Sequence, residues 1–176
     1  MTQIRKSVTC LGGLVFCVGL LSGCGNPAVN FNNAIAKANQ KLAAAGQDFG
    51  QKVNAALSGQ PGKIQEVKSS YQNVLKVLDE VKADMKSLSV PSSASAKKLY
   101  DAHQRFLKGQ EEGAKQFGEI VKILENNTLN ANAKQSKISQ IITQIGALEQ
   151  KDLVELQSAQ GEFAKEHNIR LEMPKK

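Results

Sequence analysis

Tryptophan is absent from this chain, and the other residues that build compact or reactive sites are scarce: 4 Pro, 3 Cys, 2 His and 2 Tyr in 176 residues. With 14 Gly beside them, these counts exclude a collagen-like chain, which needs glycine at every third position, and a disulfide scaffold, which needs several cysteine pairs. Catalytic signatures are missing too. The sequence holds no His-Glu-x-x-His zinc pattern, no Glu-x-x-His of di-iron bundles, no Walker loop, no Gly-x-Ser-x-Gly elbow and no Cys-x-x-Cys-His haem attachment. Together these absences point away from an enzyme, and no cofactor is expected. Charge, in contrast, is plentiful: 23 Lys and Arg against 16 Asp and Glu give a net charge of +7. The length fits one domain.

The N-terminus reads as an address. Arg5 and Lys6 precede a mostly apolar run over residues 8–21, and the small residues Ser22 and Gly23 follow. A charged start, an apolar middle and a small-residue cleavage region are the three parts of a secretory signal. The run falls short of the roughly 20 apolar residues that span a bilayer.

Leu21-Ser22-Gly23-Cys24 resembles the lipobox of bacterial lipoproteins. The resemblance covers about the first 25 residues and implies three things. Leu21, Ser22 and Gly23 would be read by the signal peptidase, cleavage would fall before Cys24, and Cys24 would carry diacylglycerol on its sulfur and usually a further chain such as palmitate on its new amino group. Each buried methylene contributes about 0.8 kcal/mol, so two or three acyl chains hold almost irreversibly. The expected location is therefore an exported, lipid-anchored one, at the outer membrane or cell surface and facing the periplasm if there are two membranes. Gly25, where an Asp would stand against it, resembles the pattern that permits transfer to the outer membrane. Cys10 and Cys17 would leave with the signal and Cys24 would be blocked, so no thiol chemistry or thiolate metal site is expected.

The rest reads as four helices. Over residues 28–57, Phe31, Ile35, Ala38, Leu42, Ala45, Phe49, Val53 and Leu57 recur at steps of three and four, which marks one helical face. Ser58-Gly59-Gln60-Pro61-Gly62 ends that helix. Ile64, Val67, Tyr71, Val74, Leu78, Val81, Met85 and Leu88 then form a heptad seam. Folded back about the Gly-Pro turn, the two stripes pair Leu57 with Ile64, Val53 with Val67, Phe49 with Tyr71, Leu42 with Leu78, and Ile35 with Met85. Val90-Pro91 breaks the chain, and Ser92 or Ser93 is a suitable N-cap for a third helix to about residue 126. Its inward residues are Leu99, Phe106, Phe117, Ile120 and Leu124. Residues 126–130 make the next turn, and the fourth helix, over about 131–167, presents Ile138, Ile141, Ile145, Leu148, Leu156, Ala159 and Phe163. Its stripe drifts near Asp152 and Leu153. The expected fold is all-α, an antiparallel up-down-up-down four-helix bundle of two long hairpins. Its organisation is a signal at 1–23, a lipid-anchored tether at 24–27, the bundle at 28–167 and a short basic tail at 168–176.

Three internal features carry alternatives. Gly146 falls opposite the stretch between Gly109 and Gly113, where either the two backbones approach closely or solvated glycines are merely tolerated. His103 lies on the inward stripe, and a hydrogen-bonded or half-exposed side chain is preferred there to a metal or haem ligand. His167, at a helix C-terminus, is expected to act as a favourable charge. Asn126-Asn127-Thr128 has the glycosylation pattern, but it is a helix-helix turn in a bacterial-type chain and no glycan is expected. The terminal lysine invites comparison with murein lipoproteins, yet in this topology the C-terminus returns to the membrane end, poorly placed to reach the wall.

Removing Arg5 and Lys6 with the signal leaves 21 bases against 16 acids, or +5, interleaved along all four helices. No base-reading or phosphate-binding stripe emerges, so nucleic acid is not an expected partner. The expected function is a lipid-anchored, non-enzymatic structural or protein-interaction module at a bacterial membrane, with an envelope protein of unknown identity as partner. Weak contact with anionic lipid or wall polymer falls to the tail. The alternative is a carrier of a small apolar ligand between the third and fourth helices.

Overall fold

The computed structural model describes residues 26–59 and 62–171. Four helices follow in chain order, α1 (Pro27–Leu57), α2 (Lys63–Lys86), α3 (Ala94–Glu125) and α4 (Ala131–Glu166), and among the described residues there is no strand. Local chemistry sets their ends. The Asn26 side chain accepts from the Ala28 N–H and Pro27 occupies the first helical position, where its missing N–H costs nothing. Ser93 and Asn130 cap α3 and α4 in the same manner, accepting from the N–H groups of Ala96 and Ala133. Gly59 and Gly62 hold φ of 75° and 76° around the first turn, a left-handed backbone that glycine adopts without penalty. In the far turn, Asn126 Oδ1 accepts from both the N–H and the hydroxyl of Thr128.

The helices form the expected up-down-up-down bundle, in which α1 packs along α2 and α3 along α4. In the first hairpin, the rings of Phe49 and Tyr71 lie 6.4 Å apart, and Lys41–Asp84 and Lys52–Glu66 ion pairs flank the seam at 3.1 and 3.3 Å. In the second, Lys98 reaches Glu162 at 2.7 Å and Arg105 reaches Glu155 at 3.1 Å. The hairpins join through α2 and α3, bridged by Lys68–Glu125 and Lys82–Glu111, while α1 meets α3 and α4 more sparingly. There Phe49 stacks on Phe117 at 4.4 Å, and Phe31 meets Phe163 edge-on at 5.4 Å. Phe31, Met85, Tyr100 and Phe163 therefore belong to one end of the bundle, where the Tyr100 hydroxyl donates to the Met85 carbonyl at 3.4 Å. At 1.5 Å per residue, the 32 residues of α3 carry the bundle about 48 Å to the opposite end.

Several stripe positions turn out otherwise. Ile64, paired on paper with Leu57, is 37% exposed because it lies in the first turn of α2, where the hairpin opens. Leu148 is 55% exposed. A period of 3.6 moves a strict three-four pattern around the helix. After Ile145 the side facing α3 thus falls to Glu149, Asp152 and Leu156. Nor does the fold end at residue 167. Asn168 takes φ 54°, the Ile169 N–H reaches back to the Ala164 carbonyl at 2.8 Å, and Ile169 is buried. This is a Schellman cap with its apolar contact, so the start of the basic tail is folded onto the core.

The glycines do not meet each other. A Cβ on Gly146 would touch nothing within 4 Å, so a close approach of the two backbones at that residue is ruled out. Side chains of α4 instead lie over the α3 glycines: a Cβ on Gly109 would stand 2.6 Å from Asp152 Oδ2, and one on Gly113 3.7 Å from Ile145 Cγ2.

Candidate functional site

The lipobox residues Leu21, Ser22, Gly23 and Cys24 lie outside the described residues, as do Pro174, Lys175 and Lys176 of the tail. What the bundle does present is a polar interior in the half nearest Pro27. His103 is fully buried, and its Nε2 lies 3.1 Å from Asn39 Oδ1 on α1. An amide oxygen only accepts, so Nε2 carries the proton and Nδ1 is bare. That Nδ1 is buried without a partner. Burial pushes the imidazole pKa down to about 4, because a charged ring there would lose its hydration with nothing to replace it. His103 is thus hydrogen-bonded and fully buried, not half-exposed.

Two turns earlier on α1, Gln160 Nε2 donates to Asn32 Oδ1 at 3.0 Å, with both residues at most 2% exposed. Asn32 Nδ2 has no partner, nor does the buried Asn33 Oδ1. Asn32, Asn39 and Gln160 lie outside the residues expected from the sequence, although the sequence carries their signal. Asn32 precedes Ile35 by three, Asn39 follows it by four, and Gln160 lies four after Leu156 and three before Phe163. A polar side chain at apolar spacing is the sign of a buried amide.

His167 does more than stand at a helix end. Its Nε2 lies 3.1 Å from Ser93 Oγ, which ties the end of α4 to the N-cap of α3, and its ring packs 4.4 Å from that of Phe163. It shares no layer with His103, which packs beside Phe106. Among the described residues no group of three or more His, Cys, Asp and Glu could hold a metal ion.

Two carboxylates have shifted acidities. Glu149, against α3, accepts from Gln110 at 3.0 Å, and burial raises its pKa. Glu66 lines an open groove of about 490 Å³ between α1 and α2 together with Asp48, Lys52, Gln65 and Ser69. Lys63 and Lys52 bond to it at 2.6 and 3.3 Å and hold its pKa below the usual value. A carboxylate held ionised by two ammonium groups is a poor base near neutrality.

Comparison with known protein families, characterised proteins and solved structures yields no match to this chain. Among the described residues no helix is long and apolar enough to cross a membrane.

Proposed function

We propose that this chain is a lipid-anchored, non-enzymatic helical protein of a bacterial cell envelope, working as a structural or protein-interaction module. The observation that carries the reading is the Leu21-Ser22-Gly23-Cys24 tetrapeptide placed just ahead of a capped helix. Only Gly25 and Asn26 separate Cys24 from Pro27, a distance of at most about 11 Å along the chain. An anchor there holds the Pro27 end of the bundle against the bilayer and offers the long flanks and the far turn to partners. Confinement to a surface raises the effective concentration toward anything else bound there.

Growth on labelled palmitate, with mass spectrometry of the mature N-terminus, tests the anchor. The expected result is acylated Cys24 as the first residue, with labelling abolished by Cys24→Ala; an unacylated product from the unchanged sequence overturns it. Crosslinking of the native protein tests the module. A reproducible envelope partner is expected, whereas extraction of a bound lipid with no partner would favour the carrier. Ile145 packed beside Gly113 supports interaction over carriage, because α4 fills the seam that glycine thins.

A further inference from the structure

We infer that the connection between α2 and α3, with the cations around it, seats the anchored end of the bundle on an anionic phospholipid surface. The inference rests on the anchoring proposed above and adds what the protein does with the membrane once tethered. Three observations converge on this end. The connection over residues 87–93, Ser-Leu-Ser-Val-Pro-Ser-Ser, carries no charge, and Val90 projects from it 39% exposed. The other large apolar side chains exposed among the described residues, Ile64, Leu148 and Val154, belong to helices rather than to a loop. Around the connection, Lys86, Lys97, Lys165 and Arg170 are all exposed, and none forms an ion pair among the described residues. Of the nearby acids, Asp84 pairs with Lys41 and Glu162 with Lys98, which leaves Glu166, 3.9 Å from His167, and Asp101, one turn after Lys97, against the four cations.

An uncharged loop with one exposed aliphatic side chain, ringed by uncompensated cations, fits a bilayer interface. The aliphatic group enters the boundary of the acyl region while ammonium and guanidinium groups meet lipid phosphates. A sugar-phosphate wall polymer would satisfy the cations but offer nothing to Val90. With the N-terminus of α1 and the end of α4 at the same level, seating this face stands the bundle upright and lifts the far turn about 48 Å from the lipid.

The mature acylated protein, reconstituted into vesicles, provides the test. Removal of the signal and acylation of Cys24 leave no other thiol, so Ser89→Cys and Asn127→Cys each accept a single fluorophore. In vesicles containing phosphatidylglycerol, brominated lipids are expected to quench the label at position 89 and not at 127. The quenching should fall in purely zwitterionic vesicles and at high salt. Combining Lys86→Gln, Lys97→Gln, Lys165→Gln and Arg170→Gln should abolish it, with helical content unchanged. Each cation neutralised should reduce the ratio of seated to unseated protein about fivefold. Equal quenching at 89 and 127, quenching indifferent to lipid charge, or protection of position 89 by purified wall polymer alone would overturn the inference. Mass spectrometry of the same sample reads the anchor separately: a missing acyl group defeats the anchoring proposal, and an unquenched label on acylated protein defeats the seating.

Discussion

His103 is the residue with the sharpest consequence. Its folded pKa of about 4 lies below the 6.5 of an unhindered imidazole, so between those values the unfolded chain binds the extra proton. Stability is therefore complete above about pH 6.5 and declines as pH falls toward 4, by a total on the order of 3 kcal/mol. Melting curves at pH 7 and 4.5 should show that decline, and His103→Gln, which keeps a donor for Asn39 but cannot titrate, should flatten it. The Asn32–Gln160 pair makes a second test. Gln160→Leu alone leaves both Asn32 amide atoms buried without a bond and should cost about 2 kcal/mol, while the double change to leucine should be close to neutral. Denaturant titration of the four species gives the coupling directly.

Among the helices, glycines of similar sequence setting should respond with opposite sign. A Cβ on Gly118 would stand 2.9 Å from the Tyr71 hydroxyl, borne on a rigid ring from α2. Gly118→Ala should thus destabilise by about 1 to 3 kcal/mol, with part of the loss restored by Tyr71→Phe, which removes the oxygen. Gly146→Ala meets open space and should stabilise by about 0.5 to 1 kcal/mol through helix propensity alone. Calorimetric melting of both separates them. The helix ends were readable because Ser93, Gly59 and Pro91 act within one turn of chain. The first hairpin was readable because its two stripes could be checked against each other, as Phe49 against Tyr71. The middle of α4 was not, because Glu149 and Asp152 face the glycines of α3. Sequence alone does not reveal that a polar chain has been given a trough to lie in. The buried amides carry a local sign in their apolar spacing, but their pairing does not, since Asn32 and Gln160 compensate each other across 128 residues.

Taken as a body, the two hairpins are joined unevenly, α2 lying firmly on α3 while α1 reaches α3 and α4 through a few rings and amides. Asn39 and Asn32 fix the height of α1 against the second hairpin, because a one-turn slip would separate both polar pairs at once. The described chain also starts and finishes at one end, with Phe31 beside Phe163 and His167 bonded to Ser93. Ends so placed permit cyclic rearrangement: a short linker from Leu171 to Asn26, with new termini opened between Asn127 and Thr128, preserves every helix and every interhelical contact. Such a permutant should match the parent in helical circular dichroism and melting temperature. With the proposed lipid-bearing cysteine moved to the new start, the permutant would hang inverted, so a crosslinked partner that still engages it would grip the flanks, and one that is lost would need the far turn.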